Sequence, residues 1–257
     1  MKIATYNCNS IRTRLGLVLD WLAAEQPDVL ALQETKVKDE DFPRAAFEEA
    51  GYSVAFRGEK SYNGVALAAR GELRDVRFGL DDEGPADEAR LVCARASGVA
   101  VVNTYVPQGA SPDSPKFQYK LEWLARLLDW FGRHLTPRSK VVWVGDLNIA
   151  PEPIDVHDHE RLLGHVCHRP EVFEAFGKFL EWGFVDVFRK HRPDPGEYSF
   201  FDYRVPNAVE RGLGWRVDHV LATPPMAKKS VAARIDLDSR KEEKPSDHAF
   251  VVAEFDV

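Results

Sequence analysis

A chain of 257 residues, of which 44% are hydrophobic and 29% charged, can bury a sizeable core, and this composition argues against a disordered protein. Its apolar runs stay short of the roughly 20 residues that span a bilayer, so we expect no membrane partner. The formal net charge of −7 excludes the broad basic surface of a nonspecific nucleic-acid binder, and any attraction for DNA must therefore be local.

The composition changes nowhere abruptly enough to mark a linker, and we expect a single domain across residues 1–257. Three cysteines, Cys8, Cys93 and Cys167, are odd in number and lie far apart, without the spacing of a metal site. This pattern is typical of reduced, buried thiols. Since no export signal is visible, it favours a cytoplasmic protein.

Two buried strands joined by a helix are predicted at the start of the chain. The strands cover residues 2–6 and 29–32, and the helix between them begins at about Thr13. Asn7 directly follows the first strand, and Glu34 follows the second after a single glutamine. Both polar side chains therefore lie where a buried strand ends.

The middle of the chain predicts two hairpins followed by a long helix. The elements expected here are a helix over residues 44–50 and strands over residues 52–56, 64–68, 91–95 and 99–105. An acidic loop over residues 81–88 separates the hairpins, and Tyr105 ends the last strand. From Lys116 to Leu135 apolar residues recur at spacings of three and four, which predicts an amphipathic helix covering one face of a sheet.

The apolar run that begins at Val141 stops at Gly145 and is followed at once by Asp146 and Asn148. A strand covered on both faces needs no polar residue, so these side chains appear where the strand emerges, at the edge where α/β sheets tend to carry ligands. Taken alone, the pair is more often a turn that closes a strand. In company with the other strand ends, it predicts a site.

The last third of the chain predicts a helix over residues 171–182, an aromatic-rich segment over 197–204 and a strand over 215–221. Alternation places Trp215, Val217 and His219 on one face of that strand, and Arg216, Asp218 and Val220 on the other. A buried Asp218 must have a partner. The pair Asp247 and His248 precedes the final strand, residues 250–255.

Seven polar residues thus fall at the ends of apolar strands, although each alone is more often a turn or loop residue: Asn7, Glu34, Tyr105, Asp146, Asn148, Asp247 and His248. Neither a serine in a glycine elbow nor a Walker-type phosphate loop is present in the sequence. Carboxylates, amides, a phenol and a histidine suit Mg²⁺ or Mn²⁺ with a phosphoryl substrate. The sequence therefore predicts metal-assisted hydrolysis of phosphodiesters.

Six motifs, in order along nearly the whole chain, resemble the exonuclease III family of DNA repair nucleases, within the endonuclease/exonuclease/phosphatase superfamily: YNCNSIR at 6–12, LQETK at 32–36, YVPQG at 105–109, GDLN at 145–148, WRVD at 215–218 and PSDH at 245–248. The resemblance implies a four-layer α/β sandwich, with two central mixed, mainly antiparallel β-sheets flanked by helices. It also implies a nuclease that acts on double-stranded DNA at abasic sites and recessed 3′ ends and leaves 3′-hydroxyl termini. We expect the protein to be a monomer.

Carried over to matching positions, the resemblance makes Glu34 the principal ligand of Mg²⁺ or Mn²⁺, with Asn7 close to it and Asp247 at a second metal position. Asp146 would position or deprotonate the attacking water. The scissile phosphate would be held by Asn148 and Tyr105.

His248, oriented by Asp218, would bind a phosphate oxygen or act as a base, and the sequence leaves both roles open. Five basic residues are candidates for contacts with backbone phosphates, with surface solvation as the alternative for each: Lys36, Arg90, Lys116, Arg204 and Arg211.

Phe200, Trp215 and Val217 fall where related enzymes build an apolar pocket for a flipped abasic sugar. Core positions would explain Phe200 and Val217 equally, but Trp215 less well, because a buried indole N–H needs a partner. His157 stands where many relatives that cleave abasic sites have glycine. If its ring points into the pocket, the protein is chiefly a 3′-5′ exonuclease with abasic cleavage obstructed. If the ring lies over the loop, both activities are expected.

The sequence leaves two further classes of function open. One is a branch of the superfamily that hydrolyses lipid or inositol phosphates, against which stands the match along the whole chain. The other is a DNA- or RNA-binding regulator that has lost the chemistry. Such a protein should lack some of the acidic and histidine residues at the strand ends, and none is missing.

Overall fold

Two six-stranded sheets form the centre of the protein in a computed structural model that describes residues 1–84 and 88–257. The strands are β1 (Lys2–Asn7), β2 (Val29–Gln33), β3 (Ser53–Arg57), β4 (Val65–Ala69), β5 (Arg74–Phe78), β6 (Leu91–Ala96), β7 (Val99–Tyr105), β8 (Val141–Asp146), β9 (Val185–Asp186), β10 (Asp218–Ala222), β11 (Ser230–Asp236) and β12 (Phe250–Phe255).

The helices among the described residues are α1 (Ile11–Glu25), α2 (Arg44–Glu49), α3 (Pro115–His134), α4 (His159–Leu162), α5 (Pro170–Trp182), α6 (Val187–His191) and α7 (Pro224–Ala227). Three short 3₁₀ turns cover Asp39–Asp41, Pro153–Asp155 and Asp238–Lys241. The helix α3 begins with the Ser114 side chain accepting a hydrogen bond from the Lys116 N–H and with proline in the first turn. This arrangement satisfies an N–H that the helix itself leaves unpaired.

The first sheet has the strand order β11-β12-β1-β2-β4-β3, and the second has the order β5-β6-β7-β8-β10-β9. Two neighbouring pairs run parallel, β1 with β2 and β7 with β8. The other neighbours run antiparallel. Both sheets are therefore mixed and mainly antiparallel.

Three buried clusters separate four layers. Small aliphatic side chains from both sheets, such as Val101 and Val251, fill the space between them. The outer face of the second sheet packs against α3 and α5 through large aromatic residues that include Trp143. The outer face of the first sheet packs against α1 and α2. The predicted four-layer sandwich is confirmed, and close packing of the two sheets explains why small side chains fill the centre.

The prediction of a strand over residues 215–221 is wrong at its beginning, because β10 starts only at Asp218. The backbone of Trp215 exchanges two hydrogen bonds with Phe200, and the Arg216 N–H donates to the Asp155 carbonyl. These three residues before β10 therefore pair with loops instead of β8. Burial does not alternate within β10 either, since Asp218 and its neighbour His219 are both fully buried.

Other differences from the predicted elements have local reasons. The helix α1 begins at Ile11, two residues before the expected start. The strand β5 was not predicted, although Val76 and Phe78 alternate with charged residues, and all five of its residues are exposed. Of the predicted acidic loop, residues 85–87 lie outside the described residues. All three cysteines are buried and unpaired, as expected. Within the described ranges, no helix has the length and apolar character needed to cross a bilayer.

A buried ion network fixes the segment that leads into β10. The Arg216 guanidinium, 1% exposed, bonds Asp155 Oδ1 at 2.7 Å and Asp186 Oδ2 at 2.9 Å. Burial alone would raise the pKa of both carboxyls, but the neighbouring Arg216 outweighs it and lowers the pKa of each. Arg189 adds a second guanidinium to Asp155. The network therefore fixes the position of Arg216, which lies two residues before Asp218, the first residue of β10.

Arg216→Met is expected to lower the free energy of unfolding by about 3–5 kcal/mol, because it leaves two buried carboxylates without their main counter-charge. Urea denaturation at pH 7 measures this loss. Since the folded-state pKa values of Asp155 and Asp186 are lowered, their contribution is present above the ordinary Asp pKa of about 4 and is lost as pH falls below it. The cost of Arg216→Met should therefore shrink in acid.

Arg44→Met is the matched control, because Arg44 pairs with Glu48 on the surface of α2 and is 61% exposed. An exposed i,i+4 pair contributes about 0.3–0.5 kcal/mol. Equal losses in the two variants would contradict a stabilising network around Arg216.

Candidate active site

The strand directions bring the predicted polar residues to one edge of the sandwich. Because β1 and β2 are parallel, Asn7 ends its strand beside the end of β2. Because β7 and β8 are parallel, Tyr105 and Asp146 are paired in register at their ends. The antiparallel β10 begins at the same edge, with Asp218 opposite Asp146. His248 reaches this edge just before β12, which runs antiparallel to β1.

Asp218 and His248 form a buried pair at this edge. His248 Nδ1 lies 2.8 Å from Asp218 Oδ2, which gives Asp218 the partner that its burial requires. Burial would lower the pKa of His248, but the carboxylates of Asp218 and Asp146 outweigh it and raise this pKa to about 10. His248 Nε2 lies 3.9 Å from Asp146 Oδ2, too far for a hydrogen bond. The imidazole is thus a protonated donor near neutral pH.

Asp146 is 1% exposed and is surrounded by donors. Its Oδ2 accepts from the Asn7 amide at 2.9 Å and from the Asn148 amide at 3.2 Å. Its Oδ1 accepts from the Asn148 main-chain N–H at 2.9 Å. Burial raises the pKa of Asp146 to about 7, opposed by His248 and assisted by Asp218. A carboxyl with this pKa can exchange a proton at neutral pH.

Glu34 lies on the other side of Asn7. The Asn7 amide nitrogen donates to Glu34 Oε1 at 2.8 Å as well as to Asp146, so one side chain bridges the two carboxylates. Lys36 lies 2.7 Å from Glu34 Oε2. Burial would raise the pKa of Glu34, but the Lys36 charge and the Asn7 hydrogen bond outweigh it and lower this pKa. Glu34 is therefore ionised and supplies a fixed negative charge.

The residues predicted to hold a metal form a set of hard oxygen ligands. Glu34 and Asp247 line the same cavity, and the carbonyl oxygen of the Asn7 side chain accepts from the Asn9 N–H at 3.0 Å. An ionised carboxylate beside an amide fits Mg²⁺ or Mn²⁺. Among the described residues, the ligand atoms of Asp146, Asp218 and His248 lie within 4.8 Å of one another. Because His248 is protonated near neutral pH, the set of Asp146, Asp218 and His248 fits a cation less well than Glu34 does.

A cavity of about 490 Å³ opens over these groups. The three predicted apolar residues, Phe200, Trp215 and Val217, line it together with Asp146, Asn148 and His248. Two bridges tie its wall: Phe200 is paired with Trp215 and also with His248. The apolar wall and the buried polar cluster thus belong to a single cavity.

His157 is not among the residues that line this cavity. Its main-chain N–H donates to the Gly214 carbonyl at 3.1 Å, and its Nδ1 lies 3.1 Å from the same oxygen. His165, which follows α4, does line the cavity, and its ring centroid lies 4.8 Å from that of Trp215. Its Nδ1 accepts from the Cys167 N–H at 3.2 Å, so Nε2 carries the proton in the neutral ring.

The five predicted phosphate contacts do not share one place. Arg204 lines the main cavity and binds Asp202 through two nitrogens, while Lys36 is engaged by Glu34. Arg90 and Lys116 line a neighbouring groove of about 350 Å³. Arg211 lines neither and donates to the Pro206 carbonyl.

The groove that holds Arg90 and Lys116 continues from the main cavity, because Tyr105 and Gln108 line both. The Arg90 guanidinium lies over the Tyr105 ring, 4.8 Å from its centroid. These contacts keep a cation close to the predicted phosphate-binding phenol. They also define a path that leads away from the cavity.

Several lining residues were not singled out from the sequence. Gln108 carried a signal, because it belongs to the YVPQG motif, and Tyr203 lies in the aromatic-rich segment. His165 and Cys167 carried none, because they sit in an irregular segment with no apolar period. Lys120, which is buried behind the cavity, carried a signal, because it lies three residues after Phe117 and four before Leu124 on the apolar face of α3.

An α/β sandwich with carboxylates, amides and an Asp–His pair gathered at one edge beside a cavity defines a hydrolase of phosphate esters. A model of the endonuclease/exonuclease/phosphatase family matches residues 4–248, and the chain belongs to this family. The resemblance stated from six sequence motifs is therefore confirmed.

Three relatives illustrate the match. Exodeoxyribonuclease III of Haemophilus influenzae is 33% identical over 267 residues, which cover 99% of this chain and 100% of that protein. An AP endonuclease from Archaeoglobus fulgidus is 53% identical, with a TM-score of 0.98 and 100% of both chains covered. The 3′ phosphatase NExo from Neisseria, bound to a product DNA hairpin, is 40% identical, with a TM-score of 0.97 and 100% of both chains covered.

Proposed function

We propose that this protein is a DNA repair nuclease that hydrolyses phosphodiesters at abasic sites and at 3′ ends, leaving 3′-hydroxyl termini. The observation that carries the proposal is the shared cavity, in which an apolar wall adjoins buried Asp146, Asn148 and His248. An abasic sugar has no base to accommodate and can lie against such a wall while its phosphate meets the polar cluster. We also propose that the protein acts as a cytoplasmic monomer with one domain across residues 1–257.

The activities named for the relatives support both abasic cleavage and activity at 3′ ends. The protein from Archaeoglobus fulgidus, at 53% identity, is an AP endonuclease. The protein from Neisseria, at 40% identity, is a 3′ phosphatase, and another structure describes it as a 3′-5′ exonuclease. All cover this chain fully. The higher identity favours abasic cleavage as a principal activity, accompanied by activity at 3′ ends.

Within this reaction, Asp146 takes the proton of the attacking water. Burial raises the pKa of Asp146 to about 7, which suits a base at neutral pH. The pKa of His248 is raised to about 10 by its neighbouring carboxylates, so this residue donates a hydrogen bond to a phosphate oxygen instead of acting as a base. Asn148 and Tyr105 hold the same phosphate with neutral donors, since burial raises the pKa of Tyr105 well above its ordinary value.

A divalent cation, Mg²⁺ or Mn²⁺, would be held by Glu34 with Asn7, and Asp247 would serve a second position. Bound there, it would neutralise charge on the phosphate oxygens. The basic residues Arg90, Lys116 and Arg204 would contact the flanking backbone, with Lys36 close to the scissile phosphate and Arg211 farther along the surface.

A single assay tests the proposal. The protein is incubated with a labelled duplex that carries one abasic site and a recessed 3′ end, with Mg²⁺ and separately with EDTA. Incision at the abasic site and shortening from the 3′ end are expected, both dependent on the cation. An inositol phosphate is assayed in parallel. Hydrolysis of that compound with no incision of DNA would overturn the proposal in favour of another branch of the family.

His157→Gly is expected to change the rate of abasic cleavage only a few-fold, because the His157 ring lies against the Gly214 carbonyl and does not line the cavity. The ratio of abasic incision to 3′ shortening on the same labelled duplex measures the effect. A hundredfold rise in abasic incision would instead show that the wild-type enzyme is chiefly an exonuclease whose pocket is obstructed by this residue.

A further inference from the structure

Lys120 is a charged residue in the core of the protein. It lies on α3 among buried residues such as Trp123 and Leu124, and its side chain is 0% exposed. Its hydrogen bonds in the described part of the chain go to main-chain carbonyls: Asn148 at 2.7 Å, Val166 at 2.7 Å and Gln108 at 3.3 Å. The ammonium therefore uses all three of its donors on three separate segments.

Each of these segments supplies part of the wall of the active-site cavity. Gln108 and Asn148 line the cavity themselves. Val166 lies between His165 and Cys167, which both line it. The lysine thus sits behind the cavity, at the point where the loop after β7, the turn after β8 and the loop before α5 meet.

We propose that Lys120 is a positioning residue for hydrolysis, which ties these three segments together and thereby fixes Asn148 at the scissile phosphate. The inference rests on the proposed function, in which Asn148 contacts that phosphate. Lys120 itself is too deeply buried to touch a substrate. Its effect on the reaction passes through the groups it holds.

A lysine at this buried position is unfavourable for stability unless its charge and donors are satisfied. Burying an ammonium is unfavourable unless its hydrogen bonds are satisfied, and burial lowers the pKa of Lys120. The surrounding core of α3 is apolar, so methionine or leucine would pack at this position without that cost. A buried lysine that binds three loop carbonyls is explained by the geometry that those bonds fix.

Asn148 is the group most sensitive to this restraint. Its backbone is left-handed, with φ of 50°, a conformation that asparagine adopts more readily than most residues. Its side-chain amide also donates to the Val106 carbonyl at 3.0 Å and to Asp146 at 3.2 Å. When Lys120 no longer holds the Asn148 carbonyl, the peptide after Asn148 can rotate, and only Val106 and Asp146 then hold the residue in place.

Misplacing a group that contacts the reacting phosphate by about 1 Å can cost on the order of a hundredfold in rate. Lys120→Met removes all three donors and keeps the length of the side chain. We expect its kcat on a duplex with a recessed 3′ end to fall at least tenfold at saturating Mg²⁺, with KM changed less than threefold. Urea denaturation of the same preparation measures its stability separately.

Lys190→Met is the matched control. The Lys190 ammonium also binds main-chain carbonyls, those of Ala227 at 2.6 Å and Ser230 at 3.4 Å, together with the Ser230 hydroxyl at 2.8 Å. None of these residues lines the active-site cavity. Lys190→Met should lower stability and leave kcat within twofold of the wild type. A purely structural lysine at position 120 would behave in the same way.

A double-mutant cycle with Asn148→Ala identifies the route of the effect. If Lys120 acts through Asn148, Lys120→Met should change kcat less than twofold in the Asn148→Ala background. An unchanged kcat in Lys120→Met, or an equal loss in both backgrounds, would overturn the inference. Full activity of Asn148→Ala alone would instead overturn the role of Asn148 in the proposed function, so the two failures are distinguishable.

Lys120→Gln covers the case in which the methionine variant does not fold. It keeps an amide donor group but has a shorter reach and no charge, so it can satisfy only part of the carbonyl set. Its kcat is expected to lie between those of the wild type and Lys120→Met, or to fall at least fivefold where the methionine variant cannot be purified. A folded Lys120→Gln with wild-type kcat would contradict the inference.

Discussion

Asp146→Asn is expected to lower kcat by at least two orders of magnitude while leaving DNA affinity nearly unchanged. The substitution keeps the size of the side chain but removes the carboxylate that accepts the proton of water, and this role belongs to the transition state. Single-turnover cleavage of a labelled duplex gives the rate of the chemical step, and equilibrium binding in the presence of Ca²⁺ gives the affinity.

The acidic residue Asp202 offers a control in the same cavity. It lines the cavity, but its carboxylate is bound to Arg204 and lies outside the cluster around Asn7 and His248. Asp202→Asn should lower kcat less than tenfold. Turnover within tenfold of the wild type in Asp146→Asn would remove Asp146 from the mechanism.

His248→Ala is expected to show a loss of kcat as large as that of Asp146→Asn, since it deletes the charged donor at the phosphate.

The proposed roles of Asp146 and His248 predict how kcat depends on pH. A base must be deprotonated, and since burial raises the pKa of Asp146 to about 7, kcat should fall as pH drops below that value. A bound cation nearby favours the charged carboxylate and moves this limb to lower pH. His248, with its pKa raised to about 10, must stay protonated to donate, so activity should also fall above that pH. We therefore expect a bell-shaped profile when kcat is measured as a function of pH.

The place of the candidate active site in the fold could be predicted from the sequence, because its residues lie at strand ends. Buried strands contain few polar residues, so Asn7, Glu34 and Asp146 stand out at or just beyond the end of each strand. The family motifs then placed Asp247 and His248 with them. The sheet edges meet as expected because the parallel pairs end on the same side.

Contacts between distant segments could not be predicted in this way. Lys120 and Val166 are 46 positions apart, and although Lys120 falls on the apolar face of α3, that spacing does not identify the loop carbonyls that it binds. Arg216 was assigned to a strand face by alternation, whereas its partners Asp155 and Asp186 come from a 3₁₀ turn and a two-residue strand. Such pairings depend on how loops cross in space, which local periodicity does not encode.

Glu34→Ala is expected to weaken the apparent affinity for Mg²⁺ at least tenfold, or by about 1.4 kcal/mol. A single carboxylate supplies a large share of the anionic coordination of the proposed cation, and the Asn7 amide cannot replace its charge. The titration of activity with Mg²⁺ measures the shift, and excess Mg²⁺ should partly restore turnover because the groups that act on water and phosphate are still present. EDTA should abolish activity in both proteins.

Glu59→Ala separates this effect from a general loss of negative charge near the site. Glu59 lines the neighbouring groove, where it accepts from the Asn63 amide at 3.1 Å and from the Ala89 N–H. Its removal should leave the Mg²⁺ titration unchanged. If Glu34→Ala and the wild type had the same Mg²⁺ dependence, Glu34 would not be a metal ligand. Undiminished wild-type activity in EDTA would refute the requirement for a metal altogether, and the cluster of Asp146 and His248 would then have to act on the phosphodiester without a cation.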